Sequence, residues 1–482
     1  MKNLFERLIE NRDSEIYPYH MPGHKRRPCG KLSRDLCGLD ITEIDGFDNL
    51  HQPTEILVRL SRQAARLYGA DESFYLINGS TAGILAAVSA ALPQGGHILM
   101  ARNCHKSAYH AAYLRQLQVT YLYPPLLADY NIFDAVTPGQ VREALEKDPE
   151  IQAVLLVSPT YEGRISNIRE IAEIVHEKDI PLIVDEAHGA HLGFGKDFAE
   201  NSCRLGADLV IHSVHKTLPS LTQTALLHVN GERIDRERLR RFLQIYQTSS
   251  PSYILMASIA NALEFVEKEG EKAFADFAEA YAIMLERLGT CKNLKVLPCK
   301  RQQNSSAGTQ DIGKLVIFTK GTNLTGRNLY DILLNRYDLQ TEMASEDYVL
   351  AMFTVNDHPE GYERMTQALL EIDRELYQTG SPAEGCKPDA AAFVCQRPVP
   401  VIPLAEAWDM KKELVELSES AGSCVGEFVN LYPPGVPVLV PGEQISEELC
   451  VRIQEWVSNG LTVQGVEALS GKLYIKTVRM ER

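Results

Sequence analysis

Short apolar runs punctuate the chain at 73–77, 97–100, 119–122, 153–157, 181–185, 207–211 and 225–229. Each is strand-sized and too continuous for one wet face, the pattern of strands buried on both sides. Residues 54–68 instead carry apolar positions at helical spacing, and 84–92 form a second helical run. Strands separated by helical stretches predict an α/β fold built on a mostly parallel, doubly wound sheet. Farther along, 231–290 reads as charged helix broken at 248–253, and 315–318, 339–342 and 349–353 predict the strands of a smaller α/β layer.

Gly, Pro and polar residues crowd 378–389, which reads as a linker. Beyond it, the prolines of 432–443 preclude a helix and predict a rigid extended path ending at Glu443. The expected division is an N-terminal arm (1–53), a large domain (54–265), a small α/β domain (266–377), a linker (378–390) and a C-terminal domain (391–482). Within the arm, Pro22 and Gly23 between His20 and His24 argue against a helical metal-binding pair, and an ordered loop is expected.

Length agrees with several domains, because 482 residues exceed what one hydrophobic core supports. A formal net charge of −15 provides no basic stripe and argues against a nucleic-acid surface. The ten cysteines show no Cys-x-x-Cys pair, so reduced thiols are expected. The N-terminus lacks an apolar signal core, and no apolar run has membrane-spanning length. A cytoplasmic enzyme is the expectation.

The chemistry centres on Ser-Val-His-Lys-Thr at 213–217, between two of the apolar runs. A poorly solvated lysine loses proton affinity and becomes a usable nucleophile toward carbonyl groups, although an ordinary loop lysine gives the same sequence signal. Asp185 ends an apolar run 31 positions before Lys216, room for one crossover between neighbouring strands. Ligands of open parallel sheets sit beyond the carboxyl ends of strands, so both side chains are expected in one crevice. That pairing suits pyridoxal 5'-phosphate: an amine for its aldehyde and a carboxylate for its pyridinium nitrogen. The competing reading of Asp185 is a helix cap.

Asn-Gly-Ser-Thr-Ala-Gly at 78–83 reads as a small-residue loop between a predicted strand and a predicted helix. Free N–H groups at that helix start, with Ser80 and Thr81, make an anion site or a simple N-cap. His105 follows another strand, where its ring would either stack on a flat cofactor or cap the next helix. A zinc site from Cys104, His105, His188 and His191 lacks paired-ligand spacing, and no metal is expected.

Taken together, these motifs resemble the bacterial Orn/Lys/Arg decarboxylases, pyridoxal-phosphate enzymes of the aspartate-aminotransferase fold (fold type I). The matching pieces are MPGHK (21–25), NGSTAG (78–83), RNCHKS (102–107), DEAHGAH (185–191), SVHKT (213–217), TSSPSY (248–253) and YPPGVPVLVPGE (432–443). They run through nearly the whole chain in the expected order. The likeness is closest to the short members, and the N-terminal wing domain of the large inducible enzymes is not expected.

The resemblance implies that Lys216 carries the cofactor, Asp185 meets the pyridine nitrogen and His105 stacks on the ring. It places Ser80, Thr81, Ser213 and His215 at the phosphate and His188 beside the cofactor, where certain large lysine enzymes have a tryptophan. Ser249 belongs to the stretch that reaches a neighbouring subunit's phosphate, so a homodimer with shared sites is implied. The implied reaction is decarboxylation of arginine, lysine or ornithine to a polyamine-type amine and CO2, with Lys216 or His215 returning a proton to Cα. Another fold-type-I reaction, aminotransfer or aldol cleavage, and a non-catalytic regulatory homologue remain the alternatives. A cationic substrate side chain calls for a carboxylate, and Glu443 is the candidate, with a surface or capping role as its competitor.

Overall fold

Apolar side chains at Ile56, Leu57, Leu60, Ala64, Ala65 and Tyr68 recur on one face and bury it, which makes Ile56–Tyr68 an amphipathic helix, α1. Gly69 ends it in the left-handed conformation, φ +74, and its N–H bonds to the Ala65 carbonyl. The computed structural model describes residues 3–14, 22, 25, 34–127, 130, 132–297, 308–378, 397–432 and 436–479.

The elements that matter follow in chain order: β1 (Glu72–Leu76), α2 (Gly79–Ala91), β2 (His97–Ala101), α3 (Lys106–Leu114), β3 (Gln118–Leu122), β4 (Ala153–Val157), β5 (Leu182–Asp185), β6 (Leu209–His212), α4 (Val214–Thr217), β7 (Ala225–Val229) and α5 (Tyr253–Leu288). All seven expected strands form, within a residue or two of their predicted ends. They were legible because β5, β6 and β7 are buried at every position, leaving apolar runs without alternation.

Two compact units are assembled from separated segments. The first takes Met1–Pro93, Pro138–Pro159 and Asn167–Asp276; the second takes Gln94–Thr137, Thr160–Ser166 and Phe277–Arg482. The expected domains are contiguous stretches, whereas each unit collects three. Of the expected linker, only Gln378 lies among the described residues, and of MPGHK only Pro22 and Lys25. His20 and His24 lie outside them.

In the first unit the strands lie in the order β1-β7-β6-β5-β4. β4 pairs with β5 and β5 with β6 in parallel, while β7 runs antiparallel to both β6 and β1. The expected small-residue loop at 78–83 is instead the opening of α2. A Cβ on Gly83 would stand 2.6 Å from the Leu76 side chain and 3.1 Å from that of Ile211. Glycine is needed there because the helix lies directly on β1 and β6, which is a packing demand and not a turn.

In the second unit β2 and β3 pair in parallel. β8 (Lys314–Phe318) and β9 (Tyr348–Met352) pair antiparallel over a core that includes Leu297, Val316, Phe318 and Leu350. The strand expected at 339–342 does not form. Asp338 takes a left-handed conformation at the preceding helix end and the Leu339 N–H bonds back to Leu333, so pairing with β9 begins only at Met343. Toward the C-terminus, β10 (Val429–Tyr432) and β11 (Val436–Leu439) pair antiparallel, and Val429 and Leu439 share a core with Ile453 and Trp456. The proline-rich stretch is extended over β11, but its expected straight path to Glu443 is broken by a turn, in which Gly442 takes φ +97 and the Glu443 N–H bonds to the Val440 carbonyl at 3.0 Å. The described cysteines Cys37, Cys104, Cys203, Cys291, Cys424 and Cys450 are free thiols. Among the described residues, no helix is long and apolar enough to cross a membrane.

Candidate active site

Strand β5 ends at Asp185, whose register partner on β6 is Ile211. One residue beyond β6, Ser213 opens the single helical turn α4, and the Lys216 N–H bonds to the Ser213 carbonyl at 3.1 Å. The expected crossover between neighbouring strands is therefore present. The turn brings Lys216 back toward the chain that follows Asp185, where Lys216 Nζ lies 3.0 Å from His188 Nε2. Asp185 is buried, and its Oδ1 accepts the Ala187 N–H at 3.1 Å. Burial pushes the Asp185 carboxyl above its ordinary pKa, against the lowering pull of Lys216 and the Ala187 N–H.

His215 points its Nδ1 at the Thr224 carbonyl, 2.8 Å away. A carbonyl only accepts, so the proton sits on Nδ1 and Nε2 keeps a lone pair. Burial lowers the pKa of this ring; the Thr224 bond acts the other way, and Lys216 adds to the lowering.

Ser213 Oγ donates to Ser80 Oγ at 2.9 Å, which joins the Lys216 turn to the first turn of α2. Asn78 does not cap α2 with its side chain. Its Oδ1 accepts the Thr248 N–H at 3.2 Å instead, bringing the stretch that contains Ser249 to the same helix start. Ser249 and Thr81 are exposed. The backbone of Ile77 is held from both sides, its N–H by Gln247 Oε1 at 2.9 Å and its carbonyl by Gln223 Nε2 at 2.5 Å. Sequence reasoning missed both glutamines. Gln223 has φ +85, a conformation rare for a side-chain-bearing residue, and nothing in the residue type announces it.

His105 and Glu443 belong to the second unit. His105 caps α3: its Nδ1 accepts the Ser107 N–H at 3.3 Å and lies 2.8 Å from Ser107 Oγ. Those bonds lie in the ring plane, so the capping reading and a stacking role are geometrically compatible. Glu443 departs from its expected use. It is 2% exposed, its Oε2 accepts from Arg102 Nη2 at 3.0 Å and from the Val440 N–H at 2.8 Å. Arg102 also donates to the Pro437 carbonyl at 2.7 Å and to Tyr109 Oη at 2.9 Å. The carboxylate expected to meet a substrate cation already meets a protein cation, and it ties the proline-rich stretch to the end of β2.

The family model described as Orn/Lys/Arg decarboxylase, major domain, matches residues 2–302, and that of the C-terminal domain matches 394–456. The chain belongs to the Orn/Lys/Arg decarboxylase family. By family it is an amino-acid decarboxylase. An uncharacterized Bacillus subtilis protein, YaaO, is 32% identical over 99% of both chains. The arginine decarboxylase of the same organism is 28% identical, covering 96% of this chain and 95% of its own. Among solved structures, the Francisella novicida lysine decarboxylase LdcF superposes with a TM-score of 0.85 at 18% identity, covering 99% of this chain and 81% of its own. That likeness establishes the fold, which is the fold-type-I architecture with a large mostly parallel sheet and a C-terminal domain.

For this decarboxylase the Arg102–Glu443 pair carries a stability prediction. Glu443→Gln leaves a buried guanidinium without its counter-charge, which is expected to destabilise the protein by about 3–5 kcal/mol. Chemical denaturation of the variant beside wild type measures it, and a loss under about 1 kcal/mol, typical of a surface pair, would refute the structural role.

Proposed function

We propose that the protein decarboxylates a basic amino acid with pyridoxal 5'-phosphate held in the first unit. The observation that carries this reading is the amine of Lys216 on His188 one strand away from the buried carboxylate of Asp185. The donor set fits the cofactor. The hydroxyls of Ser80 and Ser213, with the open N–H groups of α2, suit a phosphate, and Thr81 and Ser249 border the same helix start. Asp185 suits a protonated ring nitrogen, and Lys216 suits an aldehyde carbon.

When bound, the pyridinium ring supplies a sink for the electron pair released as the Cα–carboxylate bond breaks. The chain's part is to hold and to move protons. Asp185 keeps a proton at the ring nitrogen by pairing its carboxylate with it. His188 Nε2 relieves Lys216 Nζ of a proton, so that the amine is a nucleophile. The lone pair on His215 Nε2 or the amine of Lys216 accepts a proton and returns it to Cα once CO2 has left. We also assign the active form to a homodimer in the cytoplasm.

Arginine is the first substrate to test, because relatives matched along nearly their whole length are named arginine decarboxylase. The experiment is CO2 release from arginine, lysine and ornithine, with and without added cofactor. Release from at least one, without any keto acid, is expected. No CO2 from any of the three, with the amino group passing instead to an added keto acid, would replace this reading with aminotransfer.

A further inference from the structure

Asp185 and Glu186 are successive residues at the end of a strand, so their side chains leave on opposite sides. Asp185 has a role in the reading above, and Glu186 has none. Yet Glu186 is among the most buried charged residues described, 1% exposed. Its Oε1 lies 2.8 Å from Nε2 of His212, which is itself fully buried at the end of β6. The last backbone rung between β5 and β6 pairs Asp185 with Ile211. The Glu186–His212 bond therefore adds a side-chain rung one residue past the point where the ladder stops. It does so where the two strands must part, one toward His188 and the other toward Lys216.

The surroundings make this rung stiff. The Ser202 N–H donates to Glu186 Oε2 at 3.1 Å, and the Ser202 hydroxyl donates to the same oxygen. The His212 ring packs against Tyr68 at 4.5 Å and His228 at 4.9 Å between centroids. Tyr68 Oη donates to the Ala190 carbonyl at 2.7 Å, and so holds the loop that carries His188. His228 Nδ1 is 2.6 Å from Ser73 Oγ on β1. His212 Nδ1 is buried without a hydrogen-bond partner, so its proton belongs on Nε2, facing Glu186. Other titratable groups in electrostatic contact with this layer are His191, Glu200, Cys203 and Arg204 from the connection between β5 and β6, Tyr75 on β1 and Asp185 itself. Burial pushes the Glu186 carboxyl up to about 8, against the lowering bonds from Ser202, and pushes the His212 ring down to about 3, which keeps that ring neutral.

We propose that Glu186 is a positioning residue: bonded to His212, it clamps the ends of β5 and β6 and so sets the placement of Asp185 against Lys216. This rests on the cofactor reading given above. A misplacement of about 1 Å at a reacting centre lowers turnover by about 100-fold while leaving ground-state binding nearly intact. Fold integrity alone would not produce that separation.

The test uses the full chain as wild type, Glu186→Ala and Glu186→Gln, each with added pyridoxal phosphate. The readouts are the melting temperature, kcat and KM, and visible circular dichroism per bound cofactor, a signal that an achiral chromophore owes to fixed orientation. For Glu186→Ala, kcat is expected to fall about 100-fold with KM within about threefold, and the dichroism to fall by about half or more. Glu186→Gln, which keeps a hydrogen-bonding amide in the same place, is expected to recover kcat to within about tenfold of wild type. Wild-type kcat and dichroism in a folded Glu186→Ala protein would overturn the proposal. Should that variant not fold, His212→Gln decides by the same readouts: unchanged values overturn the role, and the split between kcat and KM supports it. A wild-type protein that takes up no cofactor overturns the cofactor reading first, a failure visible without any variant.

Discussion

Lys216→Ala is expected to abolish the visible absorption that wild type acquires with pyridoxal phosphate, and to lower turnover by at least about 1,000-fold. The expectation follows from the place of the side chain. Lys216 stands on a single helical turn between two fully buried strands, so its backbone has little freedom to bring another residue into its position. Its amine faces His188, a proton acceptor, and no other described lysine stands on this strand end. Borohydride reduction of the wild type should fix the cofactor to the peptide containing Lys216, and the variant should give no such adduct. Lys216→Arg, which keeps the charge but offers no nucleophilic amine, should behave like the alanine variant. Retention of both the absorption and the turnover in Lys216→Ala would exclude the assignment.

The second large effect is expected at Asp185. A carboxylate that supports charge developing only in the transition state contributes roughly 3–4 kcal/mol or more, which is several hundredfold in rate. Asp185→Ala should therefore lose kcat by at least that factor. It should still take up cofactor, because Lys216, Ser80 and Ser213 are untouched by the change. Absorption spectra and equilibrium dialysis separate the two quantities. Near-normal kcat in that variant would show that Asp185 serves only to cap the loop through the Ala187 N–H.

How much of this was legible beforehand depends on what each residue answers to. The strands could be read because burial on both faces writes an apolar run into the sequence, as at 181–185 and 207–211. Lys216 and Asp185 could be paired because chain distance limits a crossover. The opening of α2 reads as a loop in the sequence, since its small residues carry no helical periodicity and Gly83 answers to the close approach of Leu76 and Ile211. Glu443 shows the limit more sharply. Its rigid setting was visible, but its partner Arg102 lies 341 positions away, a separation that no local pattern encodes. Glu186 was hidden differently: within Asp-Glu-Ala-His, the residue with evident chemistry drew the reading from the one that braces it.

The interleaving of the two units bears on how the chain is made. The first unit lacks its last segment until Asp276 has been synthesised, and the second is incomplete until the C-terminal segment has emerged. Meanwhile the paired strands β2 and β3 have left the ribosome without the rest of their unit. No single cut separates the units, and the boundary between Asp276 and Phe277 falls inside the continuous helix α5. Nascent segments with exposed apolar strands are the usual clients of chaperones. Expression of residues 1–276 or 277–482 alone should therefore yield aggregate, and co-expression of the two halves should not restore the native chain.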